Sequence, residues 1–187
     1  MDSSQYFKHD GNGLIFPMKK KLLSNFPESL LEAKSCVYDK LGLHCSSIVQ
    51  EEESFDYDAF EFKLGKHFVK YRKAKITPTK TGQFVTLWKR KGKGPIEPFH
   101  ENDKIDLFII SVITDNQSGQ FIFPKSVLIE HGILSRRGKE GKRAMRVYPS
   151  WDIVESKQAQ KTQKWQSAFF FEYSQKKIDL DFIKTLI

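Results

Sequence analysis

Apolar and polar positions recur with different periods along this chain, and the changes of period mark out its elements. Leu30, Leu31, Ala33, Val37 and Leu41 return at helical spacing, as one buried face of an α-helix requires. Asn25-Phe-Pro27-Glu28 supplies a start, with proline in the first turn and an early acid, and Gly42 supplies a stop, so the spacing predicts a helix over 27–41. The preceding residues 1–25, interrupted by Gly11, Gly13 and Pro17, are expected to be irregular. Beyond Ser46 the pattern turns β-rich. Phe60-Glu-Phe-Lys-Leu64, Gly65-Lys66 and His67-Phe-Val-Lys-Tyr71 read as a hairpin, and Gly82 to Trp88 as another strand;. Lys89 to Pro98, with Gly92, Gly94, Pro95 and Pro98, reads as a loop;.

Ile105-Asp-Leu-Phe-Ile-Ile-Ser-Val-Ile113 is almost continuously apolar, the mark of a strand covered on both faces and the candidate for the sheet centre. A turn at Asp115-Asn-Gln-Ser-Gly119, a strand Gln120 to Phe123 and a short helix Ser126 to Glu130, opened by Pro124, follow it;. A basic loop Ser135 to Arg143 leads to a strand Ala144 to Tyr148, a long helix Glu155 to Tyr173 and a terminal helix Leu180 to Ile187. Trp165, Phe169 and Phe170 lie at the apolar end of the long helix and are expected in the core;. Helices before, between and after strands predict an α/β or α+β domain of two or three layers, with a mixed central sheet flanked by helices.

Composition narrows the class. A chain of 187 residues fits one domain spanning 1–187, and 39% hydrophobic residues with 16 Phe supply a core that a disordered chain lacks;. Cys36 and Cys45 are too few for a structural zinc site and are expected as reduced, partly buried thiols. No basic leader precedes an apolar run and no segment approaches the length of a membrane span, so the protein is expected in the cytoplasm. Its formal charge of +8 points to polyanions, nucleic acid before a membrane surface.

The distribution of that charge sharpens the expectation. Between Phe62 and Ile96 there is no Asp or Glu, while Lys63, Lys66, Lys70, Arg72, Lys73, Lys75, Lys80, Lys89, Arg90, Lys91 and Lys93 accumulate. Solvated faces normally mix signs. Thr77, Thr79, Thr81 and Gln83 among these charges are donors suited to phosphate oxygens, and Trp88 is a ring on which a base could stack;. A second cluster joins Arg136, Arg137, Lys139, Lys142, Arg143 and Arg146 around Gly138 and Gly141. The segment Lys157-Gln-Ala-Gln-Lys-Thr-Gln-Lys-Trp-Gln166 places Lys157, Lys161 and Lys164 on one side and offers Gln158, Gln160, Gln163 and Gln166 as amides;.

Catalytic constellations are weaker. Metal-dependent nucleases need carboxylates around Mg²⁺ and a lysine at the attacked phosphate. Glu61-Phe62-Lys63 offers the acid and lysine, with Asp56 or Asp58 too close in sequence to occupy a separate strand. Asp106 and Lys125 have the better topology, but Phe123 stands where a second carboxylate belongs. No metal, cofactor or catalytic residue is therefore expected. The five histidines, His9, His44, His67, His100 and His131, show no metal-ligand spacing.

At RKAKITPTKTGQFVTLWKR, Arg72 to Arg90, the chain resembles the MepB family of small bacterial proteins. Phe121 to Lys125, Gly141-Lys-Arg143, Arg146-Val-Tyr-Pro149, Lys157-Gln-Ala and Thr162 to Gln166 extend the resemblance over about Glu61 to Phe171. It implies kinship with restriction-endonuclease-like folds and a nucleic-acid-binding activity, and carries over no catalytic residue. The expectation is a protein that grips the phosphate backbone of DNA or RNA on a non-catalytic scaffold. Arg72, Lys75, Thr77, Thr79, Lys80, Trp88, Lys89 and Arg90 are its expected contacts, with Lys125, Lys142, Arg143, Arg146, Lys161 and Gln163. A Mg²⁺-dependent nuclease and a basic protein-interaction module are the two rival readings.

Overall fold

The computed structural model describes residues 7–9, 15–17, 26–175 and 177–187. Two short strands, β1 (Phe7–His9) and β2 (Ile15–Pro17), pair antiparallel within the segment expected to be irregular; the rest of 1–25 lies outside the described residues. Helix α1 (Glu28–Ala33) continues as a π-helix over Lys34–Tyr38. The widened turn is carried by hydrogen bonds such as Asp39 N to Lys34 O at 2.9 Å.

The strands that follow are β3 (Cys45–Gln50), β4 (Phe60–Leu64), β5 (His67–Lys73), β6 (Lys75–Thr77), β7 (Lys80–Thr86), β8 (Trp88–Arg90), β9 (Ile96–Pro98), β10 (Leu107–Ile113) and β11 (Ser118–Pro124). Helix α2 (Lys125–Glu130), strand β12 (Ala144–Val147), helix α3 (Lys157–Gln166), strand β13 (Phe170–Glu172) and helix α4 (Leu180–Leu186) complete the order. The main sheet runs β13-β11-β10-β5-β4-β3, and β5 and β10 pair in parallel while its other pairs are antiparallel. A smaller antiparallel sheet runs β12-β7-β6.

Strand β10 sits inside the main sheet, and its side chains divide by the period of two that a pleated strand imposes;. Leu107 and Ile109 join Leu30, Val37 and Tyr38 of the α1 segment and Ile183 and Leu186 of α4. Phe108, Ile110 and Val112 join Val85, Met145 and Val147 of the smaller sheet and Leu128 of α2. The layers are thus helices, main sheet, and a smaller sheet with its helices. The mixed central sheet flanked by helices agrees with the sequence pattern.

Two further expectations change. Lys89 to Pro98 is a hairpin, because Gly92, at φ +58°, lies in the turn that brings β8 back against β9. Three-residue strands are too short to declare themselves by period. The long helix expected to reach Tyr173 ends at Gln166, and Phe170–Glu172 instead pairs with β11. That pairing buries Phe170 with its ring centroid 4.7 Å from that of Phe121, and it satisfies backbone groups along the outer edge of β11;.

Candidate nucleic-acid interface

Strand β12 turns Met145 and Val147 into the core, which leaves Ala144, Arg146 and Tyr148 on its opposite side;. Helix α3 packs beside it. Ser156 opens that helix, its Oγ accepting from Ala159 N at 3.1 Å, and Gln158, Thr162 and Trp165 recur at spacings of three or four along one face;. Gln166 fastens helix to strand. Its Nε2 donates to Arg146 O at 3.0 Å while its Oε1 accepts from Tyr148 N at 2.9 Å, so one fully buried amide imitates a neighbouring strand.

Between these elements lies a cleft of about 550 Å³, lined by Lys80, His131, Lys142, Arg146, Tyr148, Ser156, Gln158, Thr162, Trp165 and Gln166 together with Ile133, Ala144, Met145 and Ala159. Among the described residues no carboxylate lines it. Arg146 is held by neutral acceptors, donating to Gly82 O at 2.9 Å and Thr77 Oγ1 at 2.8 Å, and its guanidinium lies 5.8 Å from the Phe84 ring centroid. Its charge therefore remains uncancelled by these partners. Lys80 and Lys142 are exposed beside it. At the far wall His131 stacks on Trp165 with centroids 3.9 Å apart and planes 12° apart, while Trp165 also packs near Phe123.

Of the expected contacts, only Lys80, Lys142 and Arg146 meet in this cleft. Thr77 stands behind Arg146 as its acceptor. Thr79 and Lys161 are exposed outside the cleft lining. The others are engaged elsewhere, because acids beyond the acid-free stretch fold back onto it. Arg72, 1% exposed, donates through both terminal nitrogens to Glu51 at 2.7 Å and lies away from any surface that a strand of nucleic acid could touch. Lys89 pairs with Asp103, Arg90 with Glu53 at 2.6 Å, and Lys75 with Asp56 at 3.3 Å. Trp88 lies beneath Arg90, 5.7 Å from ring centroid to guanidinium carbon.

Arg143 pairs with Glu140 at 2.7 Å, and Lys125 donates to Asp103 O at 3.1 Å. Gln163 donates to Pro149 O and Asp152 O at 3.0 and 2.9 Å, a brace for the loop before α3. The half-buried network around Glu51 also holds Lys70, which reaches Glu51 at 3.2 Å and Glu61 at 2.8 Å. Burial alone would raise the Glu51 carboxyl, but hydrogen bonding and the charges of Arg72 and Lys70 hold it below the usual carboxylate range;.

The nuclease candidates are likewise occupied. Asp106 accepts from Phe68 N at 2.8 Å, fastening the start of β5, and Glu61 faces Lys70. Lys63 lies 4.8 Å from the Phe68 ring centroid, and Asp58 accepts from Ser29 Oγ at 2.7 Å. His131 and Tyr148 are cleft residues that sequence reasoning missed. The alternation of β12 carried a signal for Tyr148, two positions beyond Arg146; nothing local marked His131. Cys36 and Cys45 are free and half-buried, and burial pushes the Cys45 thiol up to about 11.

The family model described as MepB-like matches residues 51–172, which include every residue lining the cleft. A solved structure, the crystal structure of MepB, is 34% identical with a TM-score of 0.69, covering 84% of this chain and 99% of that one. A bacterial homing endonuclease, I-Ssp6803I, aligns at 15% identity and a TM-score of 0.35 over 64% of this chain and 70% of its own. No curated protein matches the chain. Among the described residues no helix is long and apolar enough to cross a membrane.

Proposed function

The chain belongs to the MepB-like family, and on that premise we propose that it binds nucleic acid, holding a phosphate backbone in the cleft between β12 and α3. The observation that carries this reading is the convergence of Lys80, Lys142 and Arg146 on a cleft to which no described carboxylate contributes. Like charges gathered against low-dielectric walls raise each other's potential and attract a polyanion. Arg146 is pre-positioned by its carbonyl and hydroxyl acceptors, so ordering it costs little at the moment of binding;. Ser156 and Gln158 add neutral hydrogen-bonding groups of the kind that position phosphate oxygens, while the Thr162 hydroxyl donates to Gln158 O at 2.9 Å;.

The Trp165 and His131 rings form an aromatic wall beside those groups. It suits a base or sugar next to a held backbone. The proposed activity is binding without cleavage, and the proposed compartment is the cytoplasm. The endonuclease-like kinship implied by the resemblance enters as scaffold alone.

Fluorescence anisotropy of labelled random-sequence DNA and RNA over a salt series tests the reading. The expected result is saturable binding at low salt, with affinity falling linearly on logarithmic axes by about 0.9 per phosphate contact on duplex DNA. Absence of a saturable signal at low salt on every substrate would sink it.

A further inference from the structure

We propose that the tight turn Arg136–Lys139 enters the minor groove of double-stranded DNA while the cleft holds the adjoining backbone; this rests on the reading above and names its substrate. The turn is closed by two hydrogen bonds, Arg136 N to Lys139 O at 2.9 Å and Lys139 N to Arg136 O at 2.8 Å. Its central residues Arg137 and Gly138 have φ of +37° and +80°, the two positive values of a mirror-image hairpin turn;. Glycine adopts that backbone freely, and Asn and Asp tolerate it. Arginine does so at a conformational cost. A strained residue that is also charged and exposed, as Arg137 is, directs attention to what the charge meets;.

The turn grows from the cleft wall. Ile133 on one leg and Lys142 on the other both line the cleft, and Lys142 N donates to Ile133 O at 2.8 Å. At its base Gly141 packs so closely that a Cβ there would lie 2.4 Å from Ile133 O. Gly141 N donates to Ser135 Oγ at 2.9 Å, and Ser135 N donates to Phe99 O at 2.8 Å. A stiff base therefore carries exposed Arg136 and Arg137, while the Lys139 side chain lies back beside Gly132. Arg143, lower on the same segment, is paired with Glu140, whereas no carboxylate partner of Arg136 or Arg137 occurs among the described residues.

Both grooves of a duplex flank a held backbone; the wide major groove takes a helix or a two-stranded ribbon, whereas a four-residue tip that presents single arginine side chains matches the narrow minor groove;. The minor groove of B-form DNA, about 6 Å wide, admits an arginine side chain and excludes a helix. Its negative potential is strongest where A·T tracts narrow it. A single strand offers no groove, and the minor groove of duplex RNA is wide and shallow. The tip therefore fits duplex DNA.

The test uses the full chain, with Arg137→Gly and Arg137→Asn, both suited to the left-handed backbone. Anisotropy is read at one salt concentration on an A·T-rich DNA duplex, a G·C-rich duplex, the matching single strand and the matching RNA duplex, with thermal melts alongside. The wild type is expected to bind the A·T-rich DNA duplex about tenfold tighter than the single strand or RNA duplex, with the G·C-rich duplex weaker than the A·T-rich one. Both variants are expected to melt no lower than the wild type, and to lose about tenfold in affinity for duplex DNA with single-strand affinity unchanged. Equal wild-type affinity for single strand, RNA duplex and DNA duplex overturns the inference while leaving the cleft reading intact. So does an equal loss on every substrate in the variants, or no loss on any. Absence of binding to all four overturns both, and an acidic protein as partner then becomes the surviving reading.

Discussion

Arg72 illustrates how a charge that looks available along the chain is spent inside it. It is almost fully buried and makes paired hydrogen bonds to Glu51, whose carboxylate also meets Lys70. Removing one member of such a pair strands the other, at a cost of about 3–5 kcal/mol. Arg72→Ala is accordingly expected to lower the melting midpoint sharply while leaving the salt dependence of nucleic-acid binding in the surviving folded protein unchanged. Thermal melts and anisotropy together separate those outcomes. The same pair contributes to the pH dependence of stability. Because the folded-state pKa of Glu51 lies below its unfolded value, its ionised form stabilises the fold above the unfolded value, and that contribution is lost as pH falls through the folded value;. Acid titration of stability should therefore flatten in Glu51→Gln on that limb, at a lower plateau at neutral pH, and a limb of unchanged steepness would speak against the assignment. None of this was legible from the acid-free stretch itself, since Glu51, Glu53, Asp56 and Asp103 all lie outside it and reach it only through the fold.

At the scale of elements, the cleft depends on how α3 is docked. Gln166 supplies both a donor and an acceptor to the backbone of β12 and its continuation. Gln166→Leu keeps the volume and deletes both bonds, leaving Arg146 O and Tyr148 N without that partner, at about 1–3 kcal/mol. The variant should melt lower and bind nucleic acid more weakly, and stronger amide exchange at Tyr148 would identify the cause. Binding and exchange both at wild-type levels would remove Gln166 from the account. Elements with long, regular patterns were legible: the apolar run of β10, the β4–β5 hairpin and the amphipathic spacing of α1 all stand close to where the pattern puts them. The end of α3 was not, because Ala168-Phe-Phe-Phe171 continues an apolar helical face equally well. Its ending is decided by the edge of β11, which offers Phe170 and Phe171 a strand partner. Tertiary pairing overrides local preference there.

For the molecule as a whole, the surplus of +8 is spread unevenly once the chain is folded. Much of the basic stretch is neutralised by acids of the loop after β3 and of the loop before β10. The cleft retains Lys80, Lys142 and Arg146 because β6, β7, β12 and α3 contribute no carboxylate to its lining among the described residues. Sequence thus disclosed the sign of the surface and some of the residues on it, but the selection among them required the topology that brings residue 80 beside residues 142 and 146. The most direct test of that selection compares the salt dependence of duplex DNA binding in the wild type and in a Lys80→Ala, Lys142→Ala double variant. Both lysines are exposed, so the fold should survive their loss. If the cleft holds the backbone, the variant binds more weakly at every salt concentration and the slope of log affinity against log salt shrinks by about 2; an unchanged slope with unchanged affinity would contradict the account.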